Sequence, residues 1–504
     1  MKIEYVLVQD EHSMLNNFEW SSDKPLNIFI GENGSGKTTI LKSLALIFKA
    51  VYDIYITKPK SHSFPNFNFE IRYTVIIPNV EDDFTFETNY VGVTLKSVKS
   101  SKNFFEIKTD NSKYSTEDIV KLFGYKSLLP SNIVAYYAGW DDKIKAIFSE
   151  VEDTYKLNML EDVNLKVETG YSVVDELPLI YIEKINFQIL FAVLFAFEYN
   201  DQLDKYLIEK FQITAQHAYP INIILKRPDE NFYTADFESF WGAKGELRKF
   251  LDVLKAYHEE ELVYNITNQS IILSYNLDVW IKIREFYGTE KRLYYLIHLL
   301  NSSGFLAGIQ TFFNKAGKTI SNFNLSEGEQ QLITLLGLRE ILLEQNSLIL
   351  LDEPDTFLHP IWQHTFVGDL IENMDYPKGG EFLPFHNEPN IFITTHSLNL
   401  LNNADRNFSK VSIIREGKEI KIPIKFYGKK ISHINYNLMN VSERPLAIQS
   451  KINNLFEFIE IEDFKNSKKT YDELVIDIGE EDEDLLRAKI EIDYLKSVED
   501  GKSM

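Results

Sequence analysis

Eight consecutive residues, Gly31-Glu32-Asn33-Gly34-Ser35-Gly36-Lys37-Thr38, have the types and spacing needed to hold phosphate. They fit the pattern GxxxxGK[ST], in which glycines let backbone N–H groups turn inward around phosphate oxygens. Lys37 would reach the β- and γ-phosphates, and Thr38, followed by Thr39, would place its hydroxyl on Mg²⁺. Three residues far downstream offer complementary chemistry. Asp352 follows four apolar residues and has the position of a metal-bound carboxylate. Glu353 beside it could orient or activate an attacking water, and His396 could hydrogen-bond a γ-phosphate. Each has a plainer reading, since an Asp-Glu pair commonly caps a helix and a lone histidine is commonly structural. Their order behind a phosphate loop favours the joint reading, a single nucleotide site.

Such a site needs strand ends and a helix start to position it. Leu26–Ile30 reads as a buried strand. Ile40, Leu41, Leu44 and Ile47 then recur at helical spacing, so strand, loop and helix follow in the order the pattern requires. Leu348–Leu351 and Asn390–Thr395 are apolar strands ending in Asp352-Glu353 and His396-Ser397, at the strand ends where open α/β sheets bind ligands. Met1–Val8 is expected as an edge strand of that sheet, and Ile133–Ala138 as a further strand. Phe69–Ile77, Phe84–Thr94 and Phe104–Thr109 predict an antiparallel sheet beside the nucleotide. Leu306–Asn314 and Thr319–Phe323 flank a hairpin at Ala316-Gly317, Arg415–Glu419 is another hairpin turn, and Leu332–Leu343 is a strong helix.

Between Trp140 and Asn301 the pattern turns mainly helical, at Glu183–Glu198, Gly245–Glu259 and Leu277–Leu300. No heptad persists, which predicts a globular insertion rather than a long coiled coil. From about Ile431 the chain is helical again, with stripes at Ile452, Leu455, Phe456 and Ile459 and at Tyr471, Leu474 and Val475. From Glu457 onward it carries sixteen acidic and seven basic residues, with the run Glu480–Asp484 as a solvated turn, a helix start or a dock for a basic partner. The expected organisation is therefore α/β: residues 1–140 and 301–430 as two parts of one head with a mixed sheet, residues 141–300 as the insertion, and residues 431–504 as an acidic helical tail.

With 504 residues, 44% of them hydrophobic, the chain has material for two or more cores. It has no cysteine, which excludes disulfides and zinc ribbons and fits a reducing cytoplasm. Met1–Asp10 has no signal-peptide pattern, and the longest apolar run, Ile189–Phe197, is too short to cross a membrane. A net charge of −22 works against extended DNA binding, so DNA contact should be local or supplied by a partner. Lys96, Lys99, Lys102 and Lys108 form the densest basic patch, readable as a DNA contact or a solvated hairpin face.

Together, Gly31–Thr39, Leu325-Ser326-Glu327-Gly328-Glu329-Gln330, Leu350–Pro354 and Thr395-His396-Ser397 resemble the Walker A, signature, Walker B and switch-histidine motifs of ABC/SMC-type ATPases. The resemblance implies ATP and Mg²⁺ as cofactors, with Gly31, Asn33, Gly34, Ser35, Gly36, Lys37, Thr38 and Thr39 around the phosphates. It implies Thr38 and Asp352 on the metal, and Glu353, His396 and Lys37 in catalysis. It also implies a dimer, in which Ser326, Gly328 and Glu329 of one protomer meet the nucleotide of the other. Glu327 departs from the usual small residue, His359 stands where transporter ATPases carry an aspartate, and no glutamine is assigned to a Q-loop. Asp352–Pro360 instead resembles the bacterial defence branch. There, Tyr427-Gly428 and Val441-Ser442-Glu443-Arg444-Pro445 resemble the PtuA group of Septu and retron-linked systems. That group implies an ATPase that regulates a separate HNH-type nuclease and is not itself a nuclease. The alternatives are an SMC/RecF-like ATPase acting directly on DNA, a nuclease with its own Toprim domain, a transporter motor, or a scaffold shaped by bound ATP.

Overall fold

The sheet that carries the phosphate loop is built from β3 (Leu26–Ile30), β7 (Ile133–Tyr137), β8 (Leu179–Ile182), β15 (Leu348–Asp352), β16 (Asn390–Thr395), β17 (Ser409–Arg415) and β18 (Lys418–Ile420) in a computed structural model. The described residues are 1–10, 13–57, 64–77, 89–97, 105–111, 114–139, 143–160, 177–197, 201–214, 219–229, 236–258, 262, 264–265, 269–371, 389–420, 426–428 and 444–502. Across the sheet the order is β18-β17-β3-β16-β15-β7-β8, parallel except for the β17–β18 hairpin. Every residue of β3, β15 and β16 is buried, which is why these strands read as unbroken apolar runs. β16 lies between β3 and β15, so the strand leading to His396 separates the loop from Asp352.

A second sheet, in order β2-β1-β4-β5-β6, joins β1 (Lys2–Gln9), β2 (Phe18–Ser21), β4 (Asn68–Ile77), β5 (Asn89–Ser97) and β6 (Phe105–Asp110). This corrects the expectation for the N-terminal strand. β1 sits inside this antiparallel sheet, between β2 and β4, and not at the edge of the parallel one. The reason is visible in its side chains: Ile3, Val6 and Val8 are buried while their neighbours are partly exposed, one apolar face rather than two. In this sheet Lys96 pairs with Glu70 and Lys108 with Glu106, as on a solvated face; Lys99, Lys102 and residues 84–88 and 104 lie outside the described residues.

The third sheet, also antiparallel, runs β11-β12-β10-β13-β14, with β9 on β13. Its strands are β9 (Ile213–Thr214), β10 (Ile221–Lys226), β11 (Tyr264–Asn265), β12 (Ser270–Tyr275), β13 (Leu306–Lys315) and β14 (Lys318–Ser321). Four of them come from the segment expected to be mainly helical. Among the described residues up to 423, the α-helices are α1 (Lys37–Tyr52), α2 (Thr116–Phe123), α3 (Lys143–Leu160), α4 (Lys184–Leu194), α5 (Asp201–Phe211), α6 (Gly245–Tyr257), α7 (Leu277–Tyr287), α8 (Glu290–Ser302), α9 (Glu327–Gly337), α10 (Pro360–Ile371) and α11 (Leu398–Asn402). The helix expected over Leu332–Leu343 gives way at Gly337 to a wider turn, Leu338–Leu342, where a Cβ on Gly337 would meet Leu190 of α4 at 2.8 Å.

Contacts divide the chain into two compact units, Met1–Pro423 and Ile424–Met504. The second contains α12 (Leu446–Glu460), α13 (Phe464–Ile478) and α14 (Glu483–Lys502) around a core that includes Ile452, Leu455, Tyr471, Leu474, Leu485 and Ile492. Within the acidic run, Asp482 and Asp484 hold Arg444, each at 2.8 Å, at the start of α14. Of the tail motif, Val441–Glu443 lies outside the described residues.

Candidate nucleotide site

After Ile30 the chain turns through Gly31–Gly36 before α1 begins at Lys37. Gly34 (φ 76°) and Gly36 (φ 103°) take left-handed conformations open to glycine. A Cβ on Gly31 would meet the carbonyl oxygen of Ile414 at 2.2 Å. The β17–β18 hairpin thus walls the loop, and its Gly417 N–H donates to the Ser35 carbonyl at 2.8 Å. Asn33 and Gly34 are exposed. Helix α1 starts with no side-chain cap and no acidic residue in its first turn, around Thr38 and Thr39. Its first N–H groups are therefore suited to an anion.

Lys37 is buried, and its Nζ donates to the Gly31 and Glu32 carbonyls at 2.8 and 3.0 Å. Burial lowers its pKa, and Glu353 and Asp352 oppose that shift. The same nitrogen lies 3.3 Å from His396 Nε2, which lies 2.7 Å from Glu353 Oε1. Lysine, histidine and glutamate thus form a line across the ends of β3, β16 and β15. Glu353 holds φ 52°, a left-handed conformation that costs a non-glycine residue about 1–3 kcal/mol. Its N–H donates to the Thr394 carbonyl at 3.0 Å, which fixes the turn.

Asp352 is fully buried. Its Oδ1 accepts from Thr38 Oγ1 at 3.0 Å and from Thr394 Oγ1. Its Oδ2 is buried with no hydrogen-bond partner, as is Ser35 Oγ. Burial raises the Asp352 pKa, and the two hydroxyls pull it back down. A free carboxylate oxygen beside a threonine hydroxyl fits Mg²⁺, which takes few protein ligands and completes its shell with phosphate and water. Asp352 and Thr38 would be the protein's share. Among the described residues, no cluster of three or more His, Cys, Asp or Glu offers an all-protein cage.

The signature residues lie apart from this network. Ser326 caps α9: its N–H donates to Glu329 Oε2 at 2.9 Å, and its Oγ accepts from the Glu329 N–H. Lys315 occupies the other Glu329 oxygen, and burial opposed by these donors leaves the carboxyl with a lowered pKa. Ser326 is exposed, whereas Gly328 is buried, and a Cβ there would meet the Phe357 carbonyl at 2.9 Å. Among the described residues, no hydrogen bond joins Ser326, Gly328 or Glu329 to Lys37, Thr38, Asp352, Glu353 or His396.

The sequence gives no site role to Thr394, Thr395, Asp355, Gln363 or Gly417, all of which hold the site in place. Two threonines directly before His396 were the available signal, since alternate strand positions aim one at each neighbouring element.

A glycine loop between strand and helix, a carboxylate pair two strands away and a histidine between them define an ATPase head of the P-loop, ABC/SMC type. A family model described as an AAA domain matches residues 10–261, half of the chain, and the chain belongs to that family. A second, described as "AAA domain, putative AbiEii toxin, Type IV TA system", matches residues 199–402. The chain is similar to the "Retron Vc95 probable ATPase" of Vibrio cholerae, at 24% identity over 86% of this chain and 77% of that one. It is also similar to the "Retron Ec83 probable ATPase" of Escherichia coli, at 26% identity over 37% and 35%. Among solved structures it aligns with the recombination mediator RecF (12% identity, 83% of this chain and 98% of that one, TM-score 0.34). It also aligns with the Pyrococcus furiosus Smc head bound to the C-terminal domain of ScpA (13% identity, 84% and 96%, TM-score 0.32). The fold class rests on strand order and loop geometry rather than on these superpositions.

Proposed function

We propose that the chain binds and hydrolyses ATP as the ATPase subunit of a cytoplasmic anti-phage defence complex, pairs with a second copy of itself, and regulates a separate HNH-type nuclease. The observation that carries the ATPase reading is the line Lys37–His396–Glu353 beside the pair Thr38–Asp352. In this reading Lys37 exchanges the Gly31 and Glu32 carbonyls for β- and γ-phosphate oxygens. Glu353 aligns the attacking water and accepts its proton, and His396 donates to the γ-phosphate. Mg²⁺ supplies charge neutralisation to the phosphates when bound. Ser326 and Gly328 reach the γ-phosphate of the partner copy, a role supported by the exposure of Ser326 and its separation from the loop network.

The names of the two retron relatives support the defence setting, and the acidic tail supports a basic partner. Helix α14 adds an apolar face to that argument. Leu485, Ala488 and Ile492 are buried, while Leu486, Ile490 and Tyr494, spaced four residues apart, are exposed. At about 100° per residue the two sets lie on opposite faces. A partner helix with an apolar ridge and basic flanks fits this exposed face, with charge raising the encounter rate. Two measurements test the proposal: ATP turnover by the purified chain, and co-purification with the neighbouring gene's product. Changing Leu486, Ile490 and Tyr494 together to Ser should release the nuclease and leave ATP turnover unchanged. DNA cleavage by this chain alone, lost in a point variant of it, would overturn the two-subunit reading.

A further inference from the structure

We infer that Asp355 and Gln363 are positioning residues for His396, clamping its turn from two sides against the segment that follows Glu353; this rests on the ATPase reading. The His396 side chain is 35% exposed and lies between Lys37 and Glu353. Lys37 has to move when phosphate arrives, so the backbone of the turn must carry the orientation of the ring. That turn has two anchors. Thr395 Oγ1 donates to Asp355 Oδ1 at 2.9 Å, with Oδ2 at 3.0 Å, and accepts from the Ser397 N–H at 2.8 Å. One hydroxyl is thereby used as donor and acceptor on either side of His396. Gln363, on α10, is the second anchor. Its Nε2 donates to the Asp355 carbonyl at 3.1 Å, and its Oε1 accepts from Ser397 Oγ at 3.0 Å and Asn399 Nδ2 at 2.7 Å.

One anchor starts at Asp355 and the other on α10, and they end on Thr395 and Ser397, the two residues that flank His396. Asp355 is 5% exposed and Thr395 fully buried, which leaves water little room to replace these bonds. Burial pushes the Asp355 carboxyl up to about 6, with the Thr395 hydroxyl opposing that shift. An acid kept there against its own desolvation marks the site as something other than filler.

The test is steady-state ATP turnover by the full chain carrying Asp355→Ala, Gln363→Ala or Thr395→Val, each alone and combined with His396→Ala. Each single variant should lower kcat by about ten- to a hundredfold, the scale of a small misplacement, with KM for ATP within about twofold. Asp355→Asn, which keeps an acceptor for Thr395, should restore most of the loss. Combined with His396→Ala, none should lower kcat further, because they act only through that ring. A further drop in that background, or wild-type rates in the single variants, would overturn the inference while the ATPase reading stands. Should Asp355→Ala be insoluble, Gln363→Ala and Thr395→Val decide the question. A wild-type chain with no turnover overturns both.

Discussion

The loop end of the parallel sheet and the head of α9 both carry residues suited to a nucleotide, and they use their polar groups in opposite ways. At the loop end, Asp352 Oδ2 and Ser35 Oγ are buried without partners and α1 begins uncapped. Buried polar groups are normally paired, so this end is built for something that brings acceptors and donors. At the head of α9, Ser326 and Glu329 satisfy one another, Lys315 completes the carboxylate, and Gly328 is packed against Phe357. That end is finished and faces solvent. One region keeps polar groups available to a ligand; the other satisfies its own, with Ser326 exposed. The proposed pairing of two copies would set the second region against the first.

The comparison breaks first at Lys37. Lys37→Ala should reduce ATP hydrolysis by at least about a hundredfold, because the loop loses its charge against the β- and γ-oxygens in ground and transition states. Normal turnover by that variant would mean the loop end is not a receptor. Glu353→Gln should slow hydrolysis by about a hundredfold and leave ATP binding intact, since the amide keeps the shape but cannot take a proton. Loss of binding in an equilibrium titration would instead make Glu353 structural.

The shared-site half is sharpened by mixing variants. Ser326→Arg should be inactive as a homodimer, as should Lys37→Ala. Equal mixing should recover about a quarter of wild-type activity, because half of the dimers are mixed and each holds one intact site of two. Absence of recovery, with mixed dimers shown to form, would place the signature edge outside the chemistry.

The smallest expected effect is on stability. The Asp355 carboxyl is raised to about 6 in the fold, above its unfolded value, so the native state holds its proton more tightly. Stability therefore falls as pH rises from about 4 through 6, and the ionised form costs up to roughly 3 kcal/mol above that range. Asp355→Asn should stabilise the chain by about 1–3 kcal/mol at about pH 8, with most of the gain gone only at about pH 4, below the range in which the carboxyl titrates in the fold. Unfolding curves at the two pH values check this, and a gain that does not change with pH would refute it.

Contiguous signals explain what was legible beforehand. The phosphate loop is eight adjacent residues whose glycines and lysine act locally, and β3, β15 and β16 are apolar because both of their faces are covered. The spacing Ser326-x-x-Glu329 is that of a local capping pair, whereas the sequence alone pointed to these residues only as part of a signature motif. Sheet membership was less accessible. Alternation marked β1 as a strand, but only pairing with β2 and β4 decided which sheet it joined.

By itself, the sequence determined the chemistry on offer at the site: a glycine loop with Lys37 and Thr38, a carboxylate pair at one strand end and a histidine at another. The tertiary structure alone decided their geometry. It inserted β16 between β3 and β15, turned Glu353 into a left-handed conformation facing His396, and brought Asp355 to Thr395 and Gln363 to Ser397 across long stretches of chain. Strand order and contacts between distant residues follow from how whole faces pack, and no local run of residues encodes which face meets which.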